Sequence, residues 1–476
     1  MSEYRSYVSP FSQRYASQAM QGILSEQHRI GLWRRLWLWL AQAEHELGLP
    51  IGQAQIDDMA AHLDDIDFEL AARYEKQLRH DVMAHVHTFG DAAPQARPII
   101  HLGATSCYVG DNADIIIMRE AFLLLQARLV EVARALAAFA WEHRALPCLG
   151  YTHFQPAQPV TVGKRAALWL QDVLDDLEAV TAFLKHLRPL GSKGTTGTQA
   201  SFLELFEGDH DKVRALDLLV CQKMGFDRPV AVSGQTYSRK TDAQALQLLA
   251  QIGISAHKFS NDIRLLAHLK EIEEPFEAHQ IGSSAMAYKR NPMRSERMAA
   301  LSRLLIANQQ NAVMTAAEQW LERTLDDSAN RRIAVAEGFL AADGLLTLYH
   351  NVASGLLVYP QMMARHLNEE LPFMATENIL MDAVSAGGDR QDLHERIRVH
   401  AHAAAHQVKQ AGQPNDLLER ISADPAFGLD AEALNLKAEA FTGRAAQQVE
   451  EYLNGEAGEI LSRYEGLSAA EEAIRV

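Results

Sequence analysis

The chain has 476 residues, 48% of them hydrophobic and 22% charged, with a formal net charge of −16. That length provides for two to four domains around ample apolar core. The acid excess argues against a general nucleic-acid or membrane-surface role, since both need surplus Lys and Arg, but a few local cations can still hold a small anion.

Met1 to Ser17 is polar and lacks the apolar run of a secretory leader. The longest early apolar run, Leu36 to Ala41, is far too short to span a bilayer. The aromatic stretch from Trp33 to Trp39 reads as helix packing. The three cysteines, Cys107, Cys148 and Cys221, are far apart and show no zinc spacing. They fit a reducing compartment, and the cytoplasm is the simplest location. His80, His85 and His87 lie close together, as do His400, His402 and His406. Neither group has a carboxylate or thiolate set that completes a metal site.

Long helical patterns fill the middle of the chain. Met118, Phe122, Leu125, Leu129, Val132, Leu136 and Phe139 step by threes and fours. So do Leu170, Val173, Leu177, Val180 and Leu184, and Ala245, Leu249, Ile252, Ala256, Phe259, Ile263 and Leu266. Each stripe is one helix face, and the near-3.5 period suits helices packed almost parallel in a bundle. Strand signals are weak, and no Asn-Gly or Asp-Gly turn joins two alternating runs. We read an all-α chain. Pro94, Pro98 and Gly103 mark one boundary and Pro360 another. They divide an N-terminal helical domain (1–105), a central long-helix bundle domain (106–359) and a C-terminal helical domain (360–476).

Two glycine- or serine-rich segments invite a chemical reading. Gly191 to Gly197 has the wrong spacing for a phosphate loop, and a structural turn accounts for it. Ile281 to Arg290 leads into a helix for which Asn291 makes a good N-cap and Pro292 a good first residue. Free N–H groups at that helix start, together with Lys289, would favour an anion. A serine-rich surface loop with an ordinary cap explains the same spacing equally well.

Longer motifs break the tie. Gly282-Ser-Ser-Ala-Met-Ala-Tyr-Lys-Arg-Asn-Pro-Met-Arg-Ser-Glu296 resembles the signature of the fumarase/aspartase superfamily. Two further segments of that superfamily occur in the expected order: Thr105-Ser106 within His101 to Asp114, and His153 within Tyr151 to Pro159. Arg79-His80-Asp81, Lys193 to Ser201, Gly234 to Tyr237, Glu322 to Arg332, Phe373 to Asn378 and Phe441 to Arg444 narrow the resemblance to the adenylosuccinate lyase family. It covers nearly the whole chain. The sequence departs from the signature at Ala287, where the family has proline, and alanine leaves the loop backbone freer.

The resemblance implies a three-domain fumarase/aspartase-like fold and a homotetramer whose active sites combine segments of different subunits. It implies β-elimination of fumarate from small succinyl nucleotides: adenylosuccinate, giving AMP, and succinylaminoimidazole carboxamide ribotide, giving AICAR. No metal and no cofactor are implied. Elementary acid–base chemistry favours a histidine as base, with His153 and His80 as candidates. The resemblance instead makes Ser283 the general base and His153 the general acid. It places Lys289, Asn291, Ser106, Thr152 and Gln235 around the succinyl carboxylate that gains charge, and Thr105 on the substrate. Arg14, Tyr15, Arg323, Ser328 and Arg332 fall around the nucleotide, whose phosphate must meet arginines and hydroxyls, with Arg297 nearby, and Arg79, His80 and Asp81 also fall on the substrate. Two alternatives stay open: an inactive lyase-fold structural protein, and a sister enzyme such as argininosuccinate lyase.

Overall fold

The computed structural model describes residues 6–277, 279–428 and 436–469. Five long helices dominate it: Ser106–Glu142, Val162–His186, Lys240–His268, Met293–Ala317 and Ser328–Ser354. The longest has 37 residues and so runs about 55 Å. The Lys240–His268 helix packs along Met293–Ala317, which packs on Ser328–Ser354, then Ser106–Glu142, then Val162–His186. The three sequence stripes form the seam of this bundle, and every stripe residue except the half-buried Leu184 is buried. The apolar stripes thus specify both the helices and the faces they hide.

Two smaller apolar clusters flank the bundle. One gathers the Glu26–Glu46 helix, the Asp81–Ala92 helix and, from much later in the chain, Phe202 to Met224. Within it Trp37 stacks on Phe89 and meets Trp33 edge-on, as expected of packing aromatics. The other joins Ala375 to Phe427. Val449 and Ala457 return to the central cluster.

The weak strand signals hide a real hairpin. Pro147–Thr152 and Gln155–Thr161 pair antiparallel, with Thr152 opposite Gln155. The two residues between them, His153 and Phe154, take φ of 51° and 56°. A two-residue turn of this twist needs positive φ at both positions, which normally calls for Asn or Gly. His and Phe give no such signal, so the turn was illegible in the sequence. Left-handed backbone costs about 1–2 kcal/mol at each such residue. A second ribbon pairs Ile272–Glu273 with Leu357–Val358.

Among the described residues no helix is long and apolar enough to cross a membrane. All three cysteines are free.

Candidate active site

A cavity of about 670 Å³ opens where the first turns of two long helices meet the N-terminal cluster. Nine of the sequence-derived residues line it: Arg79, His80, Asp81, Thr105, Ser106, Gln235, Arg323, Ser328 and Arg332.

Local geometry aims them. The Phe68–Leu78 helix stops at Arg79 in a left-handed conformation, and His80 caps the Asp81–Ala92 helix. The His80 Nδ1 accepts the Met83 N–H at 3.2 Å. Nδ1 therefore carries no proton, which leaves Nε2–H to meet the Ser106 hydroxyl at 3.2 Å. Ser106 opens its helix, and the Thr105 side chain is not spent on capping it. Gln235 is pinned by its backbone N–H, which donates to the Glu322 carbonyl at 3.0 Å. Arg332 reaches back to Asp81 at 2.9 Å. Burial works against the Asp81 carboxylate, but Arg332 and the Val82 N–H outweigh it and hold the group below its usual range.

Six arginines and five carboxylates line the cavity, so bulk charge does not make it an anion site. What counts is which guanidinium nitrogens are left over. Arg239 is buried between two acids. It reaches Asp111 at 3.0 and 3.2 Å and Asp327 at 2.6 Å. Asp327 in turn takes Arg323 at 2.8 Å. Burial opposes the Arg239 charge, yet Asp111 and the neighbouring acids raise its pKa above the ordinary guanidinium value. Arg331 is held the same way by Asp242, Asp114 and the Tyr237 hydroxyl. The sequence reading missed this scaffold. Asp111, Asp114, Asp327 and Arg331 lay inside quoted motifs, but their partners are distant and nothing local marks them.

His101 also lines the cavity and was not singled out. Trp37 donates its indole N–H to His101 Nδ1 at 2.8 Å. Burial, with His80 nearby, pushes the His101 pKa down to about 4, so the ring is neutral at pH 7.

The remaining candidates do not line this cavity. Thr152 and His153 are exposed on the strained hairpin. Arg14 and Tyr15 sit on the Phe11–Tyr15 turn, where Tyr15 lies against Gly344 of the Ser328–Ser354 helix. Ser283, Lys289 and Asn291 share the signature loop, and the half-buried Arg297 follows in the Met293–Ala317 helix.

That loop corrects two expectations. Asn291 is not the N-cap: Pro292 holds that position, and Met293 begins the helix. Nor is the helix start open to an outside anion. Glu274 accepts the N–H groups of Arg294 at 2.9 Å and Ser295 at 2.8 Å. A buried carboxylate from the preceding segment has filled the site by satisfying donors that any helix leaves free. Asn291 instead donates its amide to the Gly282 carbonyl at 2.7 Å. Inside the loop, the Ser283 Oγ accepts the N–H of Met286 at 3.2 Å and of Ala285 at 3.4 Å.

Comparison with known proteins decides the family. A model described as Lyase matches residues 39–306, and one described as Adenylosuccinate lyase C-terminus matches 372–452. Adenylosuccinate lyase of Saccharomyces cerevisiae is 52% identical over 470 residues, covering 98% of both chains. The chain belongs to the adenylosuccinate lyase family. The family member of Schistosoma mansoni is 48% identical over the full length of both chains, and that of Pyrococcus abyssi is 28% identical over 94% of this chain and 97% of its own. Solved structures at about one-fifth identity share the fold. A 3-carboxy-cis,cis-muconate lactonizing enzyme from Pseudomonas putida superposes with a TM-score of 0.81 over 96% of this chain and 99% of its own. A fumarate lyase from Mesorhizobium gives 0.79 over 94% of this chain and 100% of its own. The adenylosuccinate lyase family is thus represented here by an all-α chain with a long central bundle.

Proposed function

We propose that this chain is an adenylosuccinate lyase, a carbon–nitrogen lyase of purine nucleotide biosynthesis. It releases fumarate from adenylosuccinate, giving AMP, and from succinylaminoimidazole carboxamide ribotide, giving AICAR. The observation that carries the reading is the cavity itself. Four segments far apart in sequence bring His80, Ser106, Gln235 and Arg323 to one place, beside Ser328 and Arg332.

In the reaction a base takes a proton from the succinyl carbon next to a carboxylate. That carboxylate gains a second negative charge, the carbon–nitrogen bond then breaks, and an acid protonates the departing nitrogen. Ser283 is the base in this reading. Support comes from the two N–H groups already donating to its oxygen, since hydrogen bonds to the charged form favour the alkoxide. Lys289 adds a charge from the same loop. His153 is the acid, presented on a strained turn. Ser106, Thr105, Thr152, Gln235 and Asn291 hold the carboxylates. Arg323, Ser328 and Arg332, with Arg14, Tyr15 and Arg297, hold the phosphate, and Arg79, His80 and Asp81 complete the substrate contacts.

The same reading makes the protein a cytoplasmic homotetramer with shared sites. Ser283 and His153 lie outside the lining of the arginine cavity of their own chain, which favours sites assembled from several chains. Leu123, Ile254, Leu304 and Val313 stand exposed on the long helices and are suited to a subunit contact. Division into three domains, 1–105, 106–359 and 360–476, belongs to the proposal too. It is supported by three apolar clusters, although Phe202 to Met224 join the first.

The test is direct. Purified protein is given adenylosuccinate and argininosuccinate side by side, with product formation followed by ultraviolet absorbance for the first and fumarate release for both. Turnover of neither substrate would leave the structural alternative standing, and turnover of argininosuccinate alone the sister enzyme. Mixing inactive Ser283→Ala and His153→Ala variants under subunit exchange should restore part of the activity. No recovery after demonstrated exchange would refute shared sites.

A further inference from the structure

Arg323 does not face the cavity freely. Its Nη1 is already committed, to Asp327 at 2.8 Å and to the Thr324 carbonyl. That leaves Nε and Nη2, the side-on edge of the fork, for an anion. A guanidinium presents that edge to two oxygens of one phosphate, so its rotation about the side chain decides whether binding is bidentate.

Asp327 sets the rotation, and Arg239 holds Asp327. One oxygen of Asp327 takes Arg323, and the other takes the Arg239 Nε at 2.6 Å. Arg239 turns its opposite edge to Asp111 through two bonds. Asp111 is itself fixed by the Tyr237 N–H at 2.9 Å. Arg239 and Asp327 are 3% and 1% exposed, so no solvent competes for these contacts. The line from backbone to Arg323 therefore has no unpaired link.

We infer that Arg239 is a positioning residue for phosphate recognition: through Asp327 it fixes the edge that Arg323 offers to the substrate phosphate. The inference rests on the proposed function, in which Arg323 binds that phosphate. Although Arg239 borders the cavity, its Nε, Nη1 and Nη2 are each engaged by Asp327 or Asp111, so it acts through those partners. A lysine in its place keeps the charge but loses the two-sided fork, so it cannot hold Asp111 and Asp327 in one geometry.

The experiment uses the full-length enzyme and two product inhibitors, AMP, which carries the phosphate, and fumarate, which does not. In Arg239→Lys the inhibition constant for AMP and the KM for adenylosuccinate should rise about tenfold, the size of one charge-assisted hydrogen bond. The kcat and the inhibition constant for fumarate should change less than about twofold. Equal weakening of AMP and fumarate, or no weakening of AMP, overturns the inference. Should Arg239→Lys fail to fold, Asp327→Asn is measured in the same way and carries the same expectations. Arg323→Ala separates the two layers: unchanged AMP inhibition there would defeat the phosphate reading itself rather than the positioning role.

Discussion

Asn291 ties its side-chain amide to the carbonyl of Gly282, nine residues earlier, at 2.7 Å. The signature loop is therefore a ring closed at its neck, with Ser283 just inside. Gly282 has to be glycine for this closure, because a Cβ there would lie 2.1 Å from the Lys289 carbonyl oxygen.

Asn291→Ala opens the ring at the cost of roughly one neutral hydrogen bond, about 1 kcal/mol. In a chain of this length that should move the melting temperature by less than about 2 °C. Activity should fall much further, with kcat down at least tenfold, because Ser283 loses its fixed position. Calorimetry and steady-state kinetics on one sample check both halves. A variant with full kcat would show that the ring does not matter to the chemistry.

Gly234 is a close approach of a different kind. A Cβ there would sit 2.4 Å from the Glu322 carbonyl oxygen, beside the Gln235 N–H bond to that same oxygen. Gly234→Ala must push the 234–235 and 322–323 segments apart, displacing Gln235 and Arg323 together. We expect a loss of about 2 kcal/mol or more in unfolding free energy and a raised KM for adenylosuccinate. Denaturant titration with kinetics tests this, and a wild-type KM would contradict it.

Glu44 is fully buried, and neither carboxylate oxygen has a partner. Burial pushes its pKa from 4.5 up to about 9. The unfolded chain ionises first, so the folded state holds the extra proton between those values and loses stability as pH rises through them. By pH 7 the cumulative loss is about 3 kcal/mol. Glu44→Met should therefore raise the melting temperature, and by more at pH 8 than at pH 5. An equal gain at both pH values would rule out the titration.

His101 gives the opposite slope. Its pKa falls from 6.5 to about 4 on folding, so the unfolded chain takes up the proton first as pH drops. Stability is unaffected above pH 6.5 and declines from there toward pH 4, by about 2 kcal/mol at pH 5. His101→Gln keeps an acceptor for the Trp37 indole and removes the titration. Urea midpoints at pH 7.5 and pH 5 should lie closer together in the variant than in the parent, and an unchanged gap would count against the assignment.

The sequence by itself determined the helices, the buried stripe of each, and the motif residues, because periodicity and short motifs are local properties of the chain. It also marked Arg79 to Asp81, Thr105-Ser106, Gln235 and Arg323 as one functional set. Tertiary structure alone decided which donors remain free. Glu274 takes the helix start that spacing assigned to an outside anion. Arg239 is claimed by Asp111 and Asp327, 128 and 88 residues away. Strand pairing forces His153 and Phe154 into a turn their side chains do not favour. The first two outcomes depend on a partner from another segment that removes water from a polar group, and desolvation of that kind leaves no trace in local sequence; the third depends on strand pairing that overrides what two exposed turn residues prefer.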